Sequence, residues 1–506
     1  MPIIGKLLKR TNAITYHRNL KKKKDLDNQL QTLIKLLTKA RKTRFGTQCN
    51  FSNVLESEVL TLAFQNNVPI TDYEEFYYSW LNETIQGAKD HTWPGRITHY
   101  ALSSGTTGSS SKRIPVTNQM IRSFQKSSLS QMVTLHELNL SEEFYSGQLL
   151  VVGGSSKLVK KDNHWEGDLS GILKKYTSFI VAPLTKPGNK ITALTDWNVK
   201  LEMMVEKAPE WNIGIIAGVP SWCILLMERI VERYQLNSIH DIWPNLEVYV
   251  HGGVFMEPYL KRLDKVLSRE IVLLDTYLAS EGYFAYQKNP AKKGMQLMLN
   301  SGVFFEFIPF NSDYFDENGE LLDRTTAFTI DEVEPDIDYA IVVTTNAGLW
   351  RYLMGDLIRF VDIEQREIVL TGRIKQFLSL CGEHLSLDNI NQAINTAATR
   401  NGISISEFTI CADEEGLRHH WYIGCDTALS SDDLIREIDV ELCALNDDYR
   451  SSRKVNLKDP QLNILPVERF YQFMEMKGKL GSQHKFPRVL NNDQREEWCQ
   501  YLKQNH

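Results

Sequence analysis

A run of ten residues, Ser103 to Lys112, holds five serines, two threonines and two glycines and closes on a lysine. Glycine lets a backbone bend where a side chain would clash. Hydroxyls and successive N–H groups turned inward make a concave anion site, and a lysine adds a point charge to it. The chemistry this composition suits is the cradling of a phosphate chain. It is not the Gly-x-x-x-x-Gly-Lys-Ser/Thr phosphate loop, because Lys112 stands four residues past Gly108. A Ser/Gly surface linker is the other reading of the same composition. Its setting favours the cradle: Ile97, Tyr100 and Leu102 precede it and Ile114, Pro115 and Val116 follow, so it is clamped between two apolar stretches.

Four further segments carry groups of the right kind. His251-Gly252-Gly253 follows Val248-Tyr249-Val250. Two glycines there would let a flat ligand approach the backbone, and a plain strand-to-helix turn is the alternative. Tyr277-Leu278-Ala279-Ser280-Glu281-Gly282 sets an aromatic face, a hydroxyl and a carboxylate on one loop. A tyrosine can stack on a base, and Mg²⁺ takes a carboxylate alongside phosphate oxygens. Arg351-Tyr352-Leu353-Met354-Gly355-Asp356 lies between two predicted strands. Its aspartate could accept both hydroxyls of a ribose, although Gly-Asp is also a common turn. Gly478 to Arg488 is a glycine-punctuated basic loop that includes Lys485.

These groups need elements to hold them. The 506 residues call for two or three domains, and 42% hydrophobic with 10% aromatic content fits a packed enzyme. A net charge of −6 argues against a dedicated nucleic-acid binder. The seven cysteines are scattered without C-x-x-C spacing, so neither a disulfide framework nor a zinc site is expected. No apolar run reaches membrane-spanning length, and Met1 to Thr11 lacks the apolar core of a signal peptide. The expectation is a cytoplasmic protein with no membrane or nucleic-acid partner. Asn19 to Lys42 reads as a helix with Leu26, Leu30, Leu33 and Leu37 on one face. The four lysines from Lys21 to Lys24 read as its solvated start.

Predicted strands at Leu149–Val152, Phe179–Ala182, Ile213–Ala217, Leu246–Val250, Ile271–Leu274, Val303–Ile308 and Ala340–Thr344 then alternate with helices such as Pro220–Tyr234 and Glu257–Ser268. The pattern predicts an α/β fold, a large multi-sheet N-terminal domain whose ligand sits beyond the strands' carboxyl ends. A strand at Ile368–Thr371 runs into Gly372-Arg373-Ile374-Lys375-Gln376, taken as a hinge. Beyond it a smaller α+β domain is expected, with a helix at Leu387–Arg400 and strands at Phe408–Ala412 and His420–Ile423. The expected boundary divides residues 1–373 from 374–506.

The order of these motifs resembles the adenylate-forming superfamily of acyl-CoA synthetases and firefly luciferase. Within it, Thr43-Arg44-Phe45-Gly46, Val68-Pro69-Ile70, Trp93-Pro94-Gly95-Arg96-Ile97, Gly382-Glu383-His384-Leu385-Ser386 and Gln483-His484-Lys485-Phe486-Pro487-Arg488 resemble the auxin-responsive Gretchen Hagen acyl-acid amido synthetases. The resemblance implies activation of a carboxylic acid by ATP with Mg²⁺, giving an acyl-adenylate and pyrophosphate, followed by acyl transfer to an amino acid. A coenzyme A acceptor, or a lapsed nucleotide-binding scaffold, are the alternatives.

By the same resemblance, Ser103, Ser104, Thr106, Thr107 and Lys112 would bind phosphates. Gly252 and Gly253 would border the adenine with Tyr277 beside it, Glu281 would hold Mg²⁺, and Asp356 would take the ribose hydroxyls. Arg373 would join these cofactor-binding residues, and Lys485 would be the catalytic lysine, carried by a C-terminal domain that pivots near Arg373 and Lys375. Two departures stand out. The family's Tyr-Arg-x-Gly-Asp reads Tyr352-Leu353-Met354-Gly355-Asp356 here, with Arg351 two steps early. Neither Arg122 nor Lys126 aligns with the arginine that plant members use to grip the acyl carboxylate, so an acid outside the plant hormones is expected. Gly218 to Trp222 falls where superfamily members line the acyl pocket, and a core Trp222 is the alternative.

Overall fold

The computed structural model describes residues 25–103, 112–177, 182–316, 319–374, 380, 385, 387–413, 416–425, 430–455, 457–478 and 485–504. Among them an eleven-stranded sheet forms the frame. One half is parallel: Thr185–Lys186, Gln148–Val152, Ile213–Gly218, Val248–Gly252 and Val272–Ala279 lie side by side in that order. The other half is antiparallel, continuing through Gly282–Tyr286, Met295–Leu297, Glu367–Arg373, Tyr352–Asp362, Asp338–Thr345 and Val303–Pro309. Val272–Ala279 is thus the seam, parallel to one neighbour and antiparallel to the other. Ile213–Ile216 is a continuous apolar run, and all four residues are buried, as a parallel strand covered on both faces requires.

The helices cover it as their sequences direct. Pro220 opens the helix Pro220–Arg233 at a position where its missing N–H costs nothing, and eight of its residues are buried. Trp197–Lys207 is capped by Asp196, whose carboxylate accepts from Val199 N at 2.9 Å. In the helix Asp25–Ala40, Leu33, Leu36 and Leu37 are buried while Leu30 is 40% exposed. The predicted face therefore turns by one position, because Gln29 is the residue drawn inward. Its side chain bonds the backbone of Leu299, Val303 and Phe305 and pins the helix to the sheet edge.

A second, four-stranded sheet orders Gln461–Leu465, Arg418–Gly424, Glu407–Asp413 and Val489–Leu490. Its strands alternate faithfully. Phe408, Ile410, Trp421 and Ile423 face the helices Leu387–Arg400 and Ser431–Leu445, whereas Cys411 and Tyr422 face Val467–Met476 and Asn492–Gln504. The fold class is a large mixed α/β body with a multi-strand sheet and a smaller α+β body.

Several predicted elements need correction. Ala182 begins a 3-10 turn instead of closing a strand, and residues 178–181 lie outside the described residues. The strand expected to stop at Leu274 runs on to Ala279, since it finds partners on both sides. Tyr277 is therefore on a strand, and the loop shrinks to the two-residue turn Ser280–Glu281 between paired Ala279 and Gly282. Asp356 likewise sits inside the strand Tyr352–Asp362 and not between strands. Glu257–Ser268 divides into a 3-10 turn, Glu257–Tyr259, and a helix, Leu260–Val266.

Arg351 is wholly buried at φ +41°, and each of its N–H groups is used. Nε and Nη2 meet the Glu306 carboxylate at about 3.0 Å, Nη1 donates to Gln65 O and Val68 O, and Nη2 to Thr325 O. Glu306 is also fully buried and accepts from Gln65 Nε2 at 2.9 Å. This arginine ties the first helices to the sheet and does not face the cavity. Glu306→Ala should lower the unfolding free energy by about 3–5 kcal/mol, because a buried guanidinium loses its counter-charge. The midpoint of guanidinium chloride unfolding checks this, and an unchanged midpoint would contradict it.

Candidate functional site

A cavity of about 2080 Å³ opens at the carboxyl ends of Ile213–Gly218, Val248–Gly252 and Val272–Ala279. Ser103 and Lys112 reach it from paired positions at the base of one hairpin. Ser104, Thr106 and Thr107, between them, lie outside the described residues, as does Lys375. Burial pushes the Lys112 ammonium below the usual lysine range, against the pull of Glu281. Its Nζ stands 5.2 Å from the centre of the Tyr73 ring, a cation–π contact. Tyr73 is a residue that motif reading missed. Its hydroxyl accepts from Arg113 N at 2.8 Å, which fixes the ring beneath the lysine.

Gly252 closes its strand opposite Thr276, and a Cβ there would stand 2.4 Å from Thr276 O. Gly253 turns at φ +80°, a conformation that side chains resist. Glu281, on the hairpin turn, is 7% exposed. Burial raises its carboxyl above the usual carboxylate range while Lys112 draws it down.

Asp356 owes its aim to a bulge. Between the pairs Val342↔Leu353 and Ala340↔Leu357 its strand carries two residues more than its neighbour, with Gly355 at φ +82°. The carboxylate is then gripped on both oxygens. Tyr277 Oη donates to Oδ2 at 2.7 Å, and Arg373 Nε, its cross-strand partner, meets Oδ1 at 2.8 Å. Tyr277 is 4% exposed with its ring edge-on to Phe284 at 5.0 Å, so its hydroxyl is committed to Asp356. Each Asp356 oxygen keeps a second acceptor direction. Arg373, expected both among the cofactor-binding residues and at the hinge, is part of this cluster.

Lys485 enters from the smaller body, and its Nζ donates to the Gly253 carbonyl. The side chain is open to the cavity but enclosed by protein on most sides, and that enclosure pushes its ammonium down to about 8, with Arg373 adding to the effect. The described residues among those predicted from sequence therefore line one cavity.

The same wall holds a pair that sequence reasoning did not assemble. His251 Nδ1 lies 3.5 Å from Asp275 Oδ1, on adjacent parallel strands at paired positions. Burial lowers the His251 imidazole to about 4 and raises the Asp275 carboxyl to about 7. The signal was parallel register, which a linear reading does not give.

At the other end the lining is largely apolar, with Phe124, Met132, Leu135, Phe144 and Leu173 interrupted by Gln125, Ser128, Gln131 and Lys174. Arg122 and Lys126 point away from it, and both are exposed on the helix Asn118–Thr134. Gly218 and Val219 border the cavity, but Trp222 is 4% exposed and packs edge-on against Trp197 in the core. Among the described residues no group of three or more His, Cys, Asp and Glu could hold a metal alone. The Glu281 carboxylate, lining the cavity with Lys112, is a group of the kind that takes Mg²⁺ carried in on a polyphosphate. Among the described residues no helix is long and apolar enough to cross a membrane.

Comparison with solved structures shows the same fold. GH3.15 acyl acid amido synthetase superposes with a TM-score of 0.75 at 18% identity, over 95% of this chain and 94% of that one. A 2-hydroxyisobutyryl-CoA ligase follows at a TM-score of 0.60 and 14% identity, over 94% and 91%. Three domain models of one family match in order: the GH3 family N-terminal domain over residues 19–163, the central domain over 296–372 and the C-terminal domain over 388–494. The chain belongs to the GH3 family.

Among curated relatives, indole-3-acetic acid-amido synthetase GH3.4 of Arabidopsis thaliana is 27% identical over 277 residues, 50% of this chain and 45% of that protein. Jasmonoyl–L-amino acid synthetase JAR6 of Nicotiana attenuata is 27% identical over 270 residues, 50% and 46%. The matched part of the chain spans less than half the length of these relatives.

The His251 shift has a sign that can be checked. A base whose folded value lies below its unfolded 6.5 leaves the unfolded chain holding the extra proton between pH 6.5 and 4. Stability is therefore lost as pH falls through that window. Relative to His251→Gln, the parent should lose roughly 3 kcal/mol at most between pH 6.5 and 4. Urea unfolding of both proteins across that range reads the difference, and parallel curves would rule it out.

Proposed function

We propose that this chain is an ATP-dependent acyl-acid amido synthetase, which adenylates a carboxylic acid and transfers the acyl group to an amino acid. One observation carries the reading: Lys485 Nζ rests on the Gly253 carbonyl, in the cavity that also holds the Tyr277–Asp356–Arg373 cluster. A nucleotide-binding scaffold has no use for a lysine delivered from a second body. The largely apolar far end suits an acid with an apolar frame.

In the first step a carboxylate oxygen attacks the α-phosphorus of ATP and the bond to pyrophosphate breaks. Both partners are anionic, so the residues must place them in line and offset their charge. Asp356, steadied by Tyr277 and Arg373, would hold the ribose hydroxyls. Gly252 and Gly253 would leave room for the adenine, and Ser103, Ser104, Thr106, Thr107 and Lys112 would cradle the phosphates. Glu281 would hold Mg²⁺, which supplies further charge neutralisation when bound. Lys485 would bridge carboxylate and phosphate while negative charge moves between them. In the second step the acceptor amine attacks the acyl carbon and AMP leaves. For that, residues 374–506 would act as a mobile domain and withdraw Lys485. A cytoplasmic setting, with neither membrane nor nucleic acid as partner, belongs to this reading. It is supported by cysteines that are all unpaired among the described residues.

Incubation with Mg·ATP, pooled carboxylic acids and either amino acids or coenzyme A tests it, with pyrophosphate and product mass as readouts. Acid-dependent pyrophosphate with an acyl–amino acid product is expected. A thioester alone would move the chain to the ligases, and silence across the pool would reject the enzyme reading. Lys485→Ala should slow pyrophosphate release roughly 100- to 1000-fold while nucleotide binding by calorimetry changes little. The Lys485 charge is lost as pH rises through about 8. The kcat/KM for pyrophosphate release should therefore decline on that alkaline side, and a flat profile to pH 10 would exclude a charged Lys485 from the step.

A further inference from the structure

Lys485 is one end of a short segment whose other end is also fastened. Arg488 Nη1 donates to Glu407 Oε2 at 2.9 Å and to Phe408 O at 3.1 Å, and its guanidinium lies 4.5 Å over the Phe408 ring. Nη2 reaches Tyr259 Oη at 3.3 Å. Tyr259 Oη in turn donates to Glu407 Oε1 at 3.0 Å. Tyr259 is 2% exposed and Glu407 4%. Glu407 opens the strand Glu407–Asp413 of the smaller sheet and Arg488 directly precedes its strand Val489–Leu490, while Tyr259 ends the 3-10 turn that follows Gly253 in the large body. Both ends of the segment from Lys485 to Arg488 thus press on the stretch from Gly253 to Tyr259. Arg262, whose Nε and Nη2 are held by the Glu228 carboxylate, donates from Nη1 to Tyr471 Oη at 3.2 Å on the same face.

We propose that Tyr259 is a positioning residue for Lys485: its hydroxyl, seated between Glu407 and Arg488, fixes where the Lys485 ammonium stands in the cavity. The division of charge makes this lock reversible. The Glu407–Arg488 ion pair lies wholly within the smaller body and would travel with it intact. Separation splits no ion pair among the described residues: Tyr259 gives up the bonds of a neutral hydroxyl, and Lys485, Arg262 and Lys261 give up single bonds to Gly253 O, Tyr471 Oη and Ile403 O, all of which water replaces. A buried ion pair split between the bodies would hold too tightly to be broken at each turnover. This inference rests on the two-step reading above.

The test uses full-length Tyr259→Phe beside the parent. Amide hydrogen exchange without ligand is measured on peptides spanning residues 253–262 and 485–490. Then the half-reactions are separated with the pooled acids as probe. The first is the pyrophosphate burst without acceptor, and the second is AMP release when pooled amino acids meet the loaded, ATP-free enzyme. Expected are faster exchange at both peptides, a first step about 10-fold slower, the size of one lost hydrogen bond, and a second step within twofold of the parent. Unchanged exchange, or equal slowing of both steps, overturns the proposal. If the parent releases no pyrophosphate, the functional reading fails by itself. Exchange then decides the lock: acceleration at both peptides supports it, and acceleration at neither ends it.

Discussion

A carboxylate lining an enclosed cavity must be met by donors or it will be driven neutral. The grip on Asp356 is the contact on which the rest of the site depends. Tyr277 can reach it only because Val272–Ala279 continues past its parallel neighbour into the antiparallel half of the sheet. Arg373 can reach it only because the strands Tyr352–Asp362 and Glu367–Arg373 are in the register that sets the two residues opposite each other. The bulge at Gly355 aims the carboxylate, and a side chain there would have to adopt φ +82°. The seam of the sheet is therefore also the place where ligand-facing groups from both halves converge, consistent with binding beyond strand ends where topology changes.

Much of this was legible in the sequence, for identifiable reasons. Ile213–Ala217 and Val303–Ile308 are apolar runs of strand length, and Pro220 announces a helix start. The hydroxyl and glycine content of Ser103–Lys112 and the doublet Gly252-Gly253 are local signals as well. What stayed hidden depends on register and long-range contact. Nothing in the neighbourhood of Arg373 says that its guanidinium meets Asp356. The bond from the Tyr277 hydroxyl is equally hidden, because its partner is 79 residues away. His251 and Asp275 pair only across a parallel ladder, and Tyr259 meets Glu407 across 148 residues.

The likeness to GH3.15 at 18% identity shows how little of the chain is needed to hold this architecture. The cores are interchangeable apolar volumes, as in the layer of Trp197, Trp222 and Trp243 under the parallel strands. The polar positions are not interchangeable, since each is tied to a specific partner through direction as well as chemistry. Gly252 illustrates a further constraint, simple occupancy by Thr276 O.

The Arg351–Glu306 pair has a consequence for how the chain can change over generations. Every donor of Arg351 is spoken for by groups drawn from three separate stretches of sequence. A well-packed apolar pair in its place could be as stable, yet either replacement by itself passes through a lone buried charge. The route between the two arrangements crosses a valley that single nucleotide changes seldom traverse. Once a lineage placed its arginine at 351 and not two residues later, that choice would have become self-preserving, independent of any advantage to catalysis.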